Sequence, residues 1–282
     1  MSFSMNQLYA AVGITRQAVH RQLGRDLHSQ QGMDELVSRG DALRQQHPGC
    51  GVEKMYHVLK PPNMGRDRFI AAFMSLGYRL KRKKNYHRTT VASNIYRPNL
   101  IKGMVVDAPC MVWQSDITYI PVGEKHCYAV FIIDVYTREI VGFSVSDNMR
   151  AGSNVTALKM AISKWGAPGI HHSDRGGQYI SKSYVKILQD RGTSISMCSS
   201  AQDNAYAERI NRTIKEEYLG HKWVRSLAQL RTMITRAVWH YNQCRPHKGL
   251  GMITPFEFIQ KWTETPKEQR IKITIFNNEN NQ

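Results

Sequence analysis

The chain has 282 residues, 41% of them apolar, and a formal net charge of +17 from 39 Lys and Arg against 22 Asp and Glu. That apolar share supports a packed core and excludes a wholly disordered chain, and the cationic excess points to a polyanionic partner, because each neutralised phosphate releases condensed counterions. No run of ~18 apolar residues marks a membrane span, and MSFSMNQLYA lacks a signal-peptide pattern. Five widely spaced cysteines without a C-x-x-C pair argue against a zinc ribbon or disulfide framework, so a cytoplasmic protein with no membrane partner is expected.

The charge is uneven. Residues 1–100 hold 16 Lys and Arg against 6 Asp and Glu, the remaining 182 residues 23 against 16. Within the basic part, NQLYAAVGITRQAVHRQL (6–23) has the pattern of a helix-turn-helix. Gly13 supplies the turn, Ile14 packs inward, and Thr15 caps a second helix that presents Arg16, Gln17, His20 and Arg21, with Val19 and Leu23 on its buried side. Tyr9 departs from the small residue usual at its position. A plain helical hairpin would share the pattern.

A second such unit follows over 47–84. Met55, Val58 and Leu59 form one apolar stripe that Pro61-Pro62 end. The next helix exposes Arg66 and Arg68, turns Phe69, Ile70 and Phe73 inward, and stops at Gly77, ahead of the basic run Lys81, Arg82, Lys83 and Lys84. Beside a recognition helix that run suits phosphate contact; by itself it would read as a solvated linker. These elements predict a first DNA-binding region over 1–45, a second over 46–95, and a linker over 96–110, where prolines interrupt the periodicity.

From about 111 the hydrophobic period becomes two. MVWQSDITYIPV (111–122) reads as a strand, and 126–146 as a hairpin turning at Thr137-Arg138. A helix over 153–164, a short strand GIHHSD, a helix stopped by Gly192, a strand TSISM and a long helix over 203–220, N-capped by Asp203, complete the order β-β-β-α-β-α-β-α. This predicts an α/β fold, a mixed five-stranded sheet flanked by helices, as a catalytic core over 111–260. A tail over 261–282 with a disordered NNENNQ end closes the chain.

Three acids stand out. Asp116 lies mid-strand, where Asp is disfavoured; Asp174 ends the GIHH strand; Glu208 shares a helix flank with Arg212 and Lys215. Singly, each has a dull explanation: a salt bridge, a turn, an i,i+4 ion pair with Arg212. Together they have the chemistry of phosphodiester attack, which uses two hard cations held by oxygen ligands. Asp134 in the hairpin reads as structural or as supporting the acids from behind, His171 and His172 as packing or supporting groups rather than zinc ligands, and Arg245-Pro-His247 as ordering the chain after a helix near 226–243 or touching DNA.

WQSDITYI, HSDRGGQY, DNAYAERINRTIKEEYL and YNQCRPHKGLGMITP resemble the signature of bacterial insertion-sequence transposases with a retroviral-integrase-type core, the insertion-sequence-three group. The acids lie 58 and 34 residues apart, in the Asp-Asp-Glu pattern with a slightly short last gap. The resemblance implies a ribonuclease-H-like fold preceded by all-α helix-turn-helix units, with Asp116, Asp174 and Glu208 as catalytic and metal-binding residues for two Mg²⁺ ions, Mn²⁺ substituting. It sets Arg212 and Lys215 against the DNA end. The implied activity is cleavage of an element's ends and joining of the 3′ ends to DNA. The implied partners are double-stranded DNA, as terminal inverted repeats and target, and further copies of the chain. An upstream accessory DNA-binding protein often accompanies such transposases, and a bacterial, nucleoid-associated location follows. A purely hydrolytic nuclease would share the acids, and a silent DNA-binding regulator would usually have lost one.

Overall fold

The computed structural model describes residues 4–62, 64–80, 96–220 and 222–275. Helix α1 (Met5–Val12) ends at Gly13, whose φ of +72° is open to glycine at little cost, and α2 (Arg16–Gln46) begins where the Thr15 side chain accepts the Ala18 N–H. Turn and cap are as expected, but Ile14 is not buried: it is 44% exposed, and Met5, Leu8, Val12 and Leu23 are exposed with it. The short second helix also proves to be the start of a 31-residue one.

The far half of α2 belongs to the second unit. Its Leu36 and Leu43 share a core with Val52, Met55 and Leu59 of α3 (Val52–Leu59) and Phe69 and Phe73 of α4 (Arg66–Ser75). Gly40 permits the close approach, since a Cβ there would lie 2.8 Å from the Phe73 ring. The boundary expected at residue 45 therefore falls inside a continuous helix. α3 ends at Lys60, before the two prolines, as expected. The run Lys81–Lys84 lies outside the described residues.

The segment expected as linker, and residues 261–275 of the expected tail, pack on the core instead, while the NNENNQ end lies outside the described residues. β1 (Val105–Val106) pairs antiparallel with β7 (Ile273–Thr274), and Ile101, Val106 and Ile275 are fully buried with Tyr136 and Phe258. Their apolar side chains cover the edge of the core, a role that the prolines near residue 98 hide in the sequence.

The main sheet comprises β2 (Val112–Val122), β3 (Lys125–Asp134), β4 (Ile140–Ser146), β5 (Ile170–Ser173) and β6 (Ser194–Met197), in the order β4-β3-β2-β5-β6. The β2–β3 and β3–β4 pairs are antiparallel, the β2–β5 and β5–β6 pairs parallel. In β3, Ala129 to Ile133 are each at most 2% exposed, because both faces are covered. Val130 and Ile132 pack on α5 (Ala151–Trp165) and α6 (Lys182–Gln189); Ala129, Phe131 and Ile133 pack on α7 (Ala205–Thr213) and α8 (Leu227–Gln243). Helix α9 (Pro255–Glu264) follows, started by a capping box on Thr254. This is the mixed five-stranded, ribonuclease-H-like sheet that the sequence predicts. Among the described residues no helix is long and apolar enough to cross a membrane.

Candidate active site

Register brings the first two acids together. The parallel ladder of β2 and β5 ends on the pair Ser115–Ser173, so the next residues, Asp116 and Asp174, leave it side by side. Asp116 continues in β2, opposite Phe131 of β3. Asp174 turns away from the sheet, with its Oδ1 accepting the Gly176 N–H at 3.0 Å. A Cβ on Gly176 would lie 2.9 Å from that oxygen, so this glycine serves the Asp174 turn, while Gly177 faces open space.

The third acid arrives on α7, which buried amides attach to β2. Gln114, fully buried, donates from Nε2 to the Asp203 carbonyl (3.2 Å) and accepts the Tyr206 N–H on Oε1 (3.1 Å). Asn204 Nδ2 donates to the Ser115 carbonyl (3.0 Å), and Asn211 Nδ2 to Asp116 Oδ2 (2.8 Å). The Ile117 N–H donates to Asp116 Oδ1. Asn211 lies three residues after Glu208, so one helix face carries both. These amides escape a search for acids and bases. Their signal is spacing: Gln114 and Asp116 share a strand face at i, i+2, and Asn204, Glu208 and Asn211 recur at helical intervals.

Burial, and after it the neighbouring charge of Asp174, push the Asp116 carboxyl up to about 7, with Glu208 adding in the same direction. Burial also raises Asp174, against the pull of the Gly176 N–H, and raises Glu208, against the pull of Arg212. Asp116 thus feels both other acids, yet among the described residues no three His, Cys, Asp or Glu side chains converge closely enough to hold a metal ion. The donor chemistry fits a hard cation: oxygen ligands only, with a neighbouring pair whose crowding favours a proton or a cation between them.

Among the described residues no ion pair is formed by Asp116, nor one between Glu208 and Arg212. Asp134 is structural: fully inside, it accepts the Cys110, Tyr136 and Thr137 N–H groups and the Thr137 hydroxyl, closing the β3–β4 turn. Asp203 is not the N-cap of α7. It sits in a 3-10 turn (Ala201–Asn204), where its carboxylate accepts the Ser199 and Ser200 N–H groups in a capping box, and Asn204 takes the cap position. His171 bonds Tyr184, His172 bonds Ser196 and Cys198, and burial lowers them to about 3 and about 4, so both are neutral packing groups.

The basic residues divide. Arg16 and Arg21 share an exposed face with Gln17 and His20. Arg66 and Arg68 are exposed at the start of α4, where Arg66 pairs with its neighbour Asp67 at 3.0 Å. Arg212 is exposed. Lys215 is half-buried, and the Asp116 charge partly offsets the lowering that burial imposes on it. The long helix expected over 203–220 is not uniform: after Thr213 it widens into a π segment (Ile214–Leu219) that carries Lys215.

A half-buried pair of acids thus ends the parallel ladder, and a third acid stands on the helix stapled to the same strand. Integrase core domain families match residues 107–202 and 192–255, together more than half of the chain. The insertion element IS600 uncharacterized 31 kDa protein of Shigella sonnei is 34% identical over 207 residues, 71% of this chain and 76% of that protein. The transposase for insertion sequence element IS904 of Lactococcus lactis is 34% identical over 191 residues, covering 66% and 76%. The HTLV-2 integrase catalytic core domain, solved in complex with magnesium, is 19% identical with a TM-score of 0.44, covering 53% of this chain and 96% of that one. The chain belongs to the insertion-sequence transposases with an integrase core domain. Its activity is that of the family, DNA cleavage and strand transfer.

Proposed function

We propose that Asp116, Asp174 and Glu208 are the catalytic acids of a transposase that cleaves the ends of an insertion element and joins the freed 3′ ends to DNA, by phosphodiester hydrolysis followed by transesterification. One observation carries this reading: the β2–β5 register sets Asp116 beside Asp174, and Asn211 ties the same Asp116 carboxylate to the helix that bears Glu208.

The three acids would hold two Mg²⁺ ions, or Mn²⁺ in their place, which when bound supply activation of the attacking oxygen and stabilisation of the leaving one. Asn211 and the Ile117 N–H fix both oxygens of Asp116, so its orientation is set before substrate arrives. Arg212 and Lys215 flank the acids and offer positive charge to the phosphates of the DNA end. Arg16 and Arg21 on α2, Arg66 and Arg68 on α4, and the run Lys81–Lys84 bind the terminal inverted repeat. Two ends must be held at once, so the chain works as a homo-oligomer on DNA. An upstream DNA-binding protein is compatible with this scheme, as is a bacterial cytoplasmic, nucleoid-associated setting.

The test is to incubate the protein with labelled terminal-repeat DNA and a target plasmid. Nicked ends and end–target joints should form in Mg²⁺ or Mn²⁺ and vanish in excess chelator. Ca²⁺ should allow binding with little chemistry, because its looser coordination misplaces the reacting oxygens. Cleavage without any joining would favour a hydrolytic nuclease, and undiminished cleavage in chelator would overturn the metal-dependent scheme.

A further inference from the structure

Glu217 ties three distant parts of the chain together. It lies in the π segment that prolongs α7. Its Oε1 accepts Lys54 Nζ and Arg245 Nη2, both at 2.8 Å; its Oε2 accepts Arg245 Nε at 2.8 Å and faces His47 Nε2 at 2.7 Å. Lys54 is on α3, His47 caps α2, and Arg245 follows α8. The backbone takes part as well: Gly49 N–H donates to the Glu217 carbonyl at 2.6 Å, and a Cβ on Gly49 would lie only 2.2 Å from Glu217 Cα. The His47 ring stacks on Tyr218, with centroids 4.6 Å apart and planes 4° from parallel.

A buried ionic cluster is a weak source of net stability, since desolvation offsets most of the attraction, but a misplaced member leaves a charge unpaired. Such a cluster therefore fixes position. Glu217 lies in the last turn before Gly220, where a helix's final carbonyls have no intrahelical partner, and the Gly49 N–H takes one of them. Lys215, whose charge reaches Asp116, lies two residues before Glu217 in the same segment, and Asn211, bonded to Asp116, lies one turn further back.

We infer that Glu217 is a positioning residue through which the α2–α4 helical unit holds the catalytic helix in register with Asp116. The inference rests on the proposed role of the three acids. Where that unit sits is thus transmitted to the active site through one carboxylate and the Gly49 contact.

Removing Glu217 itself would strand Arg245 and Lys54 and could unfold the chain, so the test acts from the helical unit's side. Lys54→Met deletes one cation and leaves the Glu217–Arg245 pair intact, and Gly49→Ala forces the loop away from Glu217. In the full chain, both variants should show faster amide exchange across residues 205–219. Both should also cleave terminal-repeat DNA roughly tenfold to a hundredfold more slowly in single turnover at saturating DNA, the scale set by small misplacements of reacting groups. Half-saturating DNA concentration should stay near that of the unaltered chain, and Lys54→Arg should restore both exchange and rate. Faster exchange with an unchanged rate would reduce Glu217 to a structural tie, and unchanged exchange in both variants would remove the contact altogether; either overturns the inference. An unaltered chain that cleaves nothing, with the exchange pattern as expected, would instead sink the reading of the acids while keeping the contact.

Discussion

Helix α7 and the first half of α2 both carry basic residues expected at DNA, yet they are held in opposite ways. α7 is attached to the sheet by Gln114, Asn204 and Asn211, and its apolar residues Ala207 and Ile210 are about 1% exposed. The turn of α1 and α2 leaves Ile14 and Leu23 exposed at 44% and 52%. A site that performs chemistry needs side chains fixed to a fraction of an ångström, and buried amides with single solutions provide that. A surface that reads a long polyanion is served by charge presented on an exposed face. In this molecule precision and exposure are kept in different places.

The largest expected effect on stability breaks the sheet side of this contrast. Asp134→Ala removes the acceptor for three buried N–H groups and should cost about 3 kcal/mol or more in urea unfolding, since each unpaired buried donor costs about 1–3 kcal/mol. A loss below 1 kcal/mol would mean that the β3–β4 turn is not held by this acid.

Gln114→Leu comes next. It removes the amide's bonds to the Tyr206 N–H and the Asp203 carbonyl, for about 1–3 kcal/mol, and should slow cleavage as well, because α7 loses one of its attachments to β2. Stability loss with full activity would separate the staple from the site.

Acidity gives a third test. In the folded chain Asp116 keeps its proton up to about 7, against an ordinary value of 3.8. The folded state therefore binds more protons than the unfolded one between those values, and this group's contribution to stability falls as pH rises through them. Metal-free protein should lose melting temperature from pH 4 to 7 by an amount that Asp116→Asn removes. An identical slope in both proteins would contradict the burial of this carboxyl.

Two smaller effects concern the exposed helices. Arg66→Ala with Arg68→Ala should lower the preference for the terminal repeat over scrambled DNA, on the scale of about 1–3 kcal/mol for a bidentate base contact. Ile14→Ser and Leu23→Ser should change stability by no more than about 0.5 kcal/mol, as exposed substitutions usually do; a larger loss would reveal a buried role for this turn.

Much of this was legible in the residues themselves. The switch of period near residue 111 marked the sheet, and Gly13, Thr15 and Pro61-Pro62 marked helix ends, because such signals act over a few residues. The three acids stood out because carboxylates on apolar elements are costly. Long-range effects were hidden. Nothing local says that Val105 pairs with Thr274, that Leu36 belongs to the core of α3 and α4, or that Glu217 meets both His47 and Arg245. Gln114 and Asn211 were visible only as spacing, and their partners only through the β2–α7 contact.

The central claim, that Asp116 with Asp174 and Glu208 forms the catalytic centre while Asp134 merely supports the fold, is tested most directly by single-turnover cleavage of terminal-repeat DNA at saturating DNA and Mg²⁺, with Asp116→Asn and Asp134→Asn measured side by side. Both changes are nearly isosteric. Asp116→Asn, and likewise Asp174→Asn and Glu208→Gln, should lose more than about a hundredfold, beyond the tenfold to hundredfold typical of residues that only support metal ligands, while Asp134→Asn keeps most of the rate. Cleavage by Asp116→Asn near that of the unaltered chain, or a collapse confined to Asp134→Asn, would contradict the account.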